Sequence, residues 1–260
     1  MDQNVLAKKF STTGKKVLVT GGGRGIGKGI AMAFAQTGAD IIILDINEEN
    51  IQATAQEISE KTGVTVYSKT ADLLQKEQIP VYIDEIIKEC GGVDVLVNNA
   101  GIQYRIPALD FPLDKWERLF SLHVTATFLL SQAVVPFMKE QGGGAIINLA
   151  SLCSIVPFQN IIAYNAAKHA VAGLTKSMAL EWGKYNIRTN AIGPGHILTD
   201  QTKEKFKDKK LLDKILSEIP LGRLGEPRDD LGFAAVFLAT EAAQYINGQI
   251  LYIDGGWLVT

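Results

Sequence analysis

Cysteine is scarce in this chain of 260 residues, which contains only Cys90 and Cys153. Two cysteines cannot build a disulfide framework, and cysteine and histidine nowhere follow one another at the spacing of a structural zinc site. We therefore expect a reduced, cytoplasmic protein that holds no metal centre.

Charge of either sign is not in excess. The 26 lysines and arginines nearly balance the 28 aspartates and glutamates, which gives a formal net charge of -2. Such a chain has no overall positive field to attract nucleic acid or an anionic membrane surface. Its start lacks the apolar core of a signal peptide, and no run of about 20 apolar residues follows. We expect a soluble protein with neither nucleic acid nor membrane as a partner.

Internal repeats, charged tails and linkers rich in proline or serine are also missing. Instead, short runs rich in valine and isoleucine alternate with longer segments of helical period. This alternation is typical of a parallel sheet with helices on both faces, and continuous apolar runs suit strands buried on both sides. Seven strands are predicted, at residues 16–20, 39–45, 64–68, 93–98, 145–149, 187–192 and 249–253. We predict one doubly wound α/β domain that spans residues 1–260.

Helices are predicted in the remaining segments, at residues 26–36, 48–61, 76–89, 113–139, 161–182 and 228–239. Pro136 should end or kink the fourth of them, because proline has no N–H to continue the hydrogen-bond ladder. The segment 202–214 carries six lysines against three acids. It is a solvated helix face, part of a lid at residues 196–218 over a bound substrate, or both.

A glycine cluster, Thr20-Gly21-Gly22-Gly23-Arg24-Gly25-Ile26-Gly27, joins the first predicted strand to the first predicted helix. Gly21 permits a tight exit from the strand. Gly25 and Gly27, on either side of Ile26, let the helix start approach a pyrophosphate, where N–H groups and the helix dipole favour negative charge. This strand, turn and helix context predicts a dinucleotide-binding Rossmann fold.

The second predicted strand ends at Asp45, about 20 residues beyond the turn, where a carboxylate can accept hydrogen bonds from an adenosine ribose. That carboxylate would repel a 2′-phosphate, which favours NAD over NADP. Arg24 argues the other way, because a guanidinium in the turn could pair with the phosphate. Alternatively, Asp45 has no coenzyme role and only complements the dipole of the following helix. We expect NAD, with NADP as the alternative.

The most informative spacing is that of Ser151, Tyr164 and Lys168. Ser151 follows the fifth predicted strand, and Tyr164 and Lys168 stand four residues apart on one face of the next helix. An ammonium about 4 Å from the phenol contributes on the order of 4 kcal/mol at an effective dielectric near 20, so we expect it to lower the pKa of Tyr164. Ser154, the other nearby hydroxyl, is expected in the loop beyond.

These three residues predict a site that moves a proton beside a bound nicotinamide dinucleotide. Tyr164 would act as general base in alcohol oxidation and as general acid in carbonyl reduction, while Ser151 binds the substrate oxygen. Taken singly, a strand-end serine, a helix tyrosine and a lysine one turn later are ordinary residues. Their combination after a dinucleotide turn favours the catalytic interpretation.

In these motifs the chain resembles the short-chain dehydrogenases/reductases. The resemblance spans residues 16–257 and rests on TGGGRGIG at 20–27, NNAG at 98–101, the serine with YNAAK at 164–168, and GPGHILT at 193–199. It implies a seven-stranded parallel sheet in a subunit that usually forms a homotetramer. It also implies that several residues surround the coenzyme: Lys168 at the nicotinamide ribose, Asn99 along the cofactor, Asp72 and Leu73 near the adenine, and Pro194, Ile197 and Thr199 beside the nicotinamide.

One position departs from the family pattern. Many members have an asparagine in the middle of the fourth helix, associated with a water relay to the active-site lysine, where this chain has His123. A relay through the backbone carbonyl would survive this change, whereas a relay through the side chain would alter turnover and its pH dependence. A buried, hydrogen-bonded histidine without a proton role is the alternative.

Longer stretches narrow the resemblance to family members that act at C5 of gluconate and 2-dehydro-3-deoxy-D-gluconate. These are NAGIQYR at 99–105, AIGPGHILTDQT at 191–202, IPLGRLGEPRDDLG at 219–232 and the ending YIDGGWLVT. They imply NAD-dependent oxidation of a sugar acid, whose carboxylate could pair with Arg105, although Arg105 could equally be a surface or interface residue. The alternatives are another ketone, such as a steroid, 3-oxoacyl or polyol compound, and a non-catalytic NAD-binding sensor.

Overall fold

A parallel sheet of seven strands forms the centre of the computed structural model, which describes residues 3–260. The strands β1 to β7 are Lys16–Thr20, Asp40–Asp45, Val66–Thr70, Val95–Asn98, Gly144–Leu149, Ile187–Pro194 and Ile250–Ile253. They lie in the order β3-β2-β1-β4-β5-β6-β7, and every neighbouring pair is parallel. The predicted doubly wound α/β fold is confirmed.

Helices cover both faces of this sheet. The α-helices α1 to α10 are Gln3–Phe10, Gly25–Gln36, Glu48–Thr62, Ile79–Cys90, Leu113–Phe120, Ala126–Glu140, Ile162–Trp182, Asp200–Lys203, Lys209–Ser217 and Phe233–Ala239. Val17 and Val19 of β1 join the apolar cluster of α2 and α10, whereas Leu18 joins the cluster of α4 and α6. All three side chains are buried, because successive residues of a strand face opposite sides of the sheet.

The predicted helix 113–139 differs most from the structure. A π-helical turn, Ser121–Thr125, separates α5 from α6, while Pro136 lies inside α6 without ending it. The proline is tolerated because it is exposed, so the carbonyl left without its N–H partner one turn earlier can bond to water. Pro136 therefore does not end the helix, and the irregular hydrogen bonding lies around His123.

The stretch Leu113–Glu140 is apolar on average, although polar residues such as Ser121, His123 and Gln132 interrupt it. Within residues 3–260 it is the one helical stretch whose length and composition would allow it to cross a membrane. Leu130, Val134 and Met138 of this stretch are buried in the apolar cluster on one face of the sheet. Helices in the core of a protein can be as long and as apolar as a membrane span, and the buried face of this stretch packs like a core helix.

A chain of buried polar side chains crosses the sheet near the strand ends. Asn98 on β4 donates to Ser131 Oγ on α6 at 3.0 Å and to Asn148 Oδ1 on β5 at 2.9 Å. Asn148 in turn donates to Thr175 Oγ1 on α7 at 2.9 Å. All four side chains are buried, so the loss of one partner leaves a polar group unpaired away from water.

Asn148→Ala should therefore lower the free energy of unfolding by about 2–4 kcal/mol, because Asn98 loses one of its two acceptors, Thr175 loses its donor, and a cavity remains between them. Denaturant unfolding measures the change. Gln52→Ala removes an exposed hydrogen bond to Glu48 and is the control, with an expected change below about 0.5 kcal/mol. Equal effects of the two substitutions would contradict a structural role for the buried network.

Candidate active site

The candidate site lies at the carboxyl ends of the strands, where the strand order reverses between β1 and β4. β1 leads directly into the glycine turn, and β5 ends two residues before Ser151. Tyr164 lies in the first turn of α7, which follows β5. The parallel arrangement thus brings the predicted coenzyme turn and the predicted catalytic residues to the same edge of the sheet.

The glycine turn is shaped by backbone contacts too close for side chains. Gly21 and Gly25 have positive φ angles of 63° and 56°. A Cβ atom on Gly27 would clash with the carbonyl oxygen of Gly21. Asn99 holds the turn by donating from Nδ2 to the carbonyls of Thr20 at 2.9 Å and Gly21 at 3.0 Å. The turn is therefore fastened to the chain that leaves β4.

Helix α2 begins at this turn without a capping side chain. Arg24 occupies the N-cap position but makes no side-chain cap, and no acid stands in the first turn, where Ile26 packs against the apolar core. The positive end of the helix can therefore receive an anion. A Cβ atom on Gly25 would meet only Thr199, at 3.8 and 3.9 Å, so there is space beside the turn. These features fit the pyrophosphate of a dinucleotide.

Asp45 ends β2 beside the glycine turn. Its Oδ2 accepts a hydrogen bond from the N–H of Gly23 at 3.1 Å, and its Oδ1 accepts one from Asn47 at 3.2 Å. Arg24 is exposed on the same turn. Two backbone N–H groups thus hold the carboxylate of Asp45, and Arg24 presents an exposed guanidinium on the same turn. The carboxylate that favours NAD and the guanidinium that favours NADP are therefore both present.

The turn after β3 carries the two residues predicted near the adenine. Asp72 accepts a hydrogen bond from the N–H of Leu74 at 2.9 Å, which closes a local turn. Leu73 is buried and packs in the apolar core together with Leu44 and Ile83. Asp72 therefore supplies the polar group at this strand end, and Leu73 contributes to the core.

The residues predicted near the nicotinamide follow the carboxyl end of β6. Pro194 is the last residue of this strand, and Ile197 is buried and forms a parallel bridge with Gly225. Thr199 caps α8 through reciprocal side-chain hydrogen bonds with Thr202. The predicted lid segment therefore starts as a well-defined helix, and its first cap lies next to the glycine turn.

Ser151, Tyr164 and Lys168 lie together, as their spacing predicted. The Lys168 Nζ atom is 5.4 Å from the centroid of the Tyr164 ring and donates to the Leu149 carbonyl at 2.5 Å. Ser151 lies close enough to the phenol to lower its pKa, and its Oγ accepts a hydrogen bond from the N–H of Cys153 at 3.2 Å. One hydroxyl, one phenol and one buried amine are therefore in mutual reach.

Burial controls the acidity of these groups. It raises the pKa of Tyr164 above its usual value, the nearby Cys153 raises it further, and Ser151 lowers it. Burial also lowers the pKa of Lys168 to about 8. The expectation that the ammonium by itself lowers the pKa of Tyr164 is wrong for the protein's own groups, because it counted the charge and left out desolvation.

His123 is only 3% exposed and faces the candidate catalytic groups from the π-helical turn. Its Nε2 lies 2.7 Å from the carbonyl oxygen and 3.0 Å from the N atom of Ile102. The imidazole stands perpendicular to the Tyr164 ring, with the centroids 5.4 Å apart. Burial and the charge of Lys168 lower the pKa of His123 to about 3. His123 is therefore a neutral imidazole packed against the tyrosine.

The two remaining predicted polar residues, Ser154 and Arg105, differ in their surroundings. Ser154 is buried and donates to the carbonyl of Lys168 at 2.9 Å, so it fastens the chain after β5 to α7. Arg105 is exposed. Burial raises the pKa of the Cys153 thiol, and the charges of Lys168 and Arg105 both oppose that shift. The residue after Arg105, Ile106, forms a parallel bridge with Ile161, so Arg105 lies near the start of α7, the helix that carries Tyr164.

Four residues near this site escaped the sequence analysis. Cys153 is buried close enough to Tyr164 and Lys168 to influence the pKa of both. Phe158, His196 and Trp257 form an aromatic cluster. The members of this cluster come from three distant segments, so no local pattern could have indicated it, whereas Cys153 could have been noticed two residues after Ser151.

Comparison with known proteins agrees with this arrangement. A family model described as enoyl-(acyl carrier protein) reductase matches residues 21–258. The 2-dehydro-3-deoxy-D-gluconate 5-dehydrogenase of Bacillus subtilis (strain 168) is 45% identical over 249 residues, which are 96% of each chain. The protein of the same name from Escherichia coli (strain K12) is 40% identical over 98% of this chain and 99% of its own.

A solved structure extends the likeness from sequence to fold. The crystal structure of a gluconate 5-dehydrogenase from Burkholderia cenocepacia J2315, in complex with NADP and tartrate, is similar with a TM-score of 0.93. It is 36% identical and covers 98% of this chain and 99% of its own. At these identities over nearly its whole length, the chain belongs to the short-chain dehydrogenase/reductase family and is an NAD- or NADP-dependent oxidoreductase of CH–OH groups.

Proposed function

We propose that the protein oxidises a secondary hydroxyl of a sugar acid, at C5 of 2-dehydro-3-deoxy-D-gluconate or D-gluconate, with NAD as its coenzyme. The observation that carries the choice of an acid is Arg105, an exposed guanidinium whose neighbour Ile106 pairs with Ile161, just before the helix that carries Tyr164. Guanidinium groups bind carboxylates through two parallel hydrogen bonds. The relatives support the same substrate class, because their names refer to gluconate or its deoxy-keto derivative.

In this proposal Ser151 and Tyr164 both bind the reacting oxygen of the substrate. The two side chains lie near one another, so an alcohol oxygen placed between them can give its proton to the phenolate and remain bonded to the serine. Because burial opposes ionisation of the phenol, the nearby Lys168 ammonium is needed to stabilise it. A bound nicotinamide dinucleotide supplies the hydride acceptor and, when oxidised, a second positive charge.

His123 takes the part of a neutral neighbour in this scheme. Because its pKa is about 3, the imidazole is uncharged near neutral pH. Its ring instead supports one side of Tyr164 and stays close to the backbone of Ile102. A Cβ atom on Gly101 would overlap the imidazole, so the ring occupies space that only a glycine at this position leaves open.

We also propose a homotetramer in the cytoplasm. Apolar side chains are exposed on the helices α5 to α7, among them Leu113, Phe128 and Leu180, and Leu180 is 84% exposed. Exposed apolar patches of this kind mark contact surfaces, and copies of one chain usually assemble with closed symmetry. Light scattering on the purified protein gives the subunit number, and a monomer would contradict the proposal.

Tyr164→Phe should lower kcat by about 10²- to 10⁴-fold and leave the affinity for the dinucleotide nearly unchanged, because it removes the transferable proton but little volume. Oxidation by the wild-type enzyme should become faster as the pH rises toward 8, since the raised pKa of Tyr164 keeps the phenol protonated near neutrality, and the rate should level off above pH 8, where Lys168 loses its charge. Steady-state kinetics across pH and titration with NADH measure these effects. Turnover retained in Tyr164→Phe would reject the tyrosine as the proton acceptor.

His123→Asn is the control for this pH dependence. Because the pKa of His123 is about 3, its loss should leave the rise of the rate with pH in place even where kcat falls. A flattened profile in His123→Asn would instead show that the imidazole takes part in proton transfer.

Asp45→Ser should shift the coenzyme preference toward NADP by about 10- to 100-fold. Removal of a like charge near a 2′-phosphate is worth about 1–4 kcal/mol, and about 1.4 kcal/mol corresponds to a tenfold change. Titration of each variant with both coenzymes measures the ratio. Asp72→Ser removes the carboxylate at the neighbouring strand end and should change both affinities alike. Wild-type protein that binds NADP more tightly than NAD would overturn the choice of NAD.

Arg105→Gln should raise KM for sugar acids by about 10- to 100-fold, the loss expected for a charge-assisted hydrogen bond of about 1.5–3 kcal/mol. Neutral polyols, assayed by NADH formation in the same panel, should be unaffected. Arg118→Gln, which alters an exposed arginine on α5, is the matched control. Wild-type activity that is indifferent to the carboxylate would favour a neutral polyol or another ketone as the substrate.

A further inference from the structure

Trp257 lies where three separate segments of the chain meet. Its ring stacks on Phe158, with the centroids 5.3 Å apart and the planes 29° apart. His196 stands edge-on to both rings, 6.1 Å from Trp257 and 6.4 Å from Phe158. Phe158 belongs to the chain between Ser151 and α7, His196 follows β6, and Trp257 begins the last helical turn, Trp257–Val259. The cluster therefore joins residues 151–161, here called the serine segment, to the C-terminal segment, residues 254–260.

Phe158 is fastened to the helix that carries Tyr164. The side-chain amide of Asn165, the next residue after Tyr164, accepts a hydrogen bond from the N–H of Phe158 at 3.3 Å. It also donates to the carbonyl of Phe158 at 2.8 Å. Because both backbone groups of Phe158 are held by one amide, the surface on which Trp257 stacks moves with the candidate catalytic helix.

The other side of Trp257 contacts the lysine-rich segment. Phe206, Ile215 and Ile219 form the buried part of an apolar cluster that is separate from the two main cores. Its partly buried members are Leu198, Leu211, Leu212, Leu216, Leu224 and Trp257. Among these described members, Trp257 alone lies outside residues 198–224. Its Nε1 also donates to Glu218 Oε2 at 3.2 Å.

This segment, residues 198–224, begins beside the predicted coenzyme site. Thr199 lies 3.8 Å from the position that a Cβ atom on Gly25 would take. A cavity of about 560 Å³ opens at the other end of the segment, between Glu218, Trp257 and Val156 of the serine segment. Trp257 thus stacks on the chain that carries Ser151 and also belongs to the apolar cluster of the segment, while His196, just before the segment, meets Phe158 only edge-on.

We propose that Trp257 is a positioning residue that couples residues 198–224 to the serine segment, so that closure over a bound dinucleotide and ordering of Ser151 occur together. This rests on the prediction that residues 196–218, most of which lie in this segment, form a lid. With Trp257 removed, the lid cluster keeps its own apolar contacts but loses its attachment to Phe158. The lid can then open while the dinucleotide is bound.

Limited proteolysis tests this coupling directly, because the segment carries the lysines at which trypsin cuts. Saturating NADH should slow cleavage within residues 202–214 of the wild-type protein by about tenfold or more, since cleavage tracks the open population. Trp257→Ala should abolish most of this protection while NADH still binds, and it should lower kcat more than it changes KM for the dinucleotide. Trp257→Phe, which keeps a ring on Phe158, should retain most of the protection.

Phe158→Leu removes the ring on which Trp257 stacks, so it tests the same contact. It replaces Trp257→Ala if that variant does not fold. It should lose the protection by NADH, and the double variant should be no worse than either single variant, because the two rings act as one connection. Trp182→Phe, at the end of α7, is the matched control and should resemble wild type. Full protection and normal kcat in Trp257→Ala, or additive losses in the double variant, would overturn the proposal. These experiments need only the dinucleotide for the protection assay, so failure of the sugar-acid assignment remains distinguishable.

Discussion

The close approach of two strand ends is the constraint on which the rest of this structure depends. The Asn99 amide donates to the carbonyls of Thr20 and Gly21, so the exit of β1 and the exit of β4 are held against one another. The same approach leaves no room for a side chain on Gly27. A helix N-terminus without a capping side chain is thereby fixed in place, which is the arrangement that receives a pyrophosphate.

Desolvation sets the chemistry of the neighbouring groups. Tyr164 and Lys168 are placed side by side, and burial penalises the charged form of each, so the pKa of the phenol is raised and that of the amine is lowered to about 8. The positive charge of Lys168 therefore has to offset the desolvation free energy that opposes ionisation of the phenol. The neutral His123 adds no charge to this environment, and its perpendicular ring restricts the tyrosine. Proton transfer at this site is a property of the enclosed group of residues and not of one pair.

The site has an inner part at the strand ends and an outer part formed by residues 198–224 and Trp257, and the two are held by different contacts. The inner part rests on backbone contacts and on the buried network around Asn98 and Asn148, which joins β4 and β5 to the helices. The outer part rests on a small apolar cluster and on the stacking of Trp257 on Phe158. Small clusters at the edge of a domain open more easily than a main core, and this difference is the physical basis of the coupling proposed for Trp257.

Sequence alone determined the strand pattern, the glycine turn and the placement of Tyr164 and Lys168 on one helical face, because each depends on period or spacing within a few residues. The ends of the strands were less certain: β3 occupies Val66–Thr70, two residues later than predicted, because its register is set by pairing with β2. Only the tertiary structure decided the direction of the pKa of Tyr164 and the meeting of Phe158 with Trp257. Desolvation and ring stacking both depend on atoms brought together from distant segments, and spacing along the chain carries no information about them.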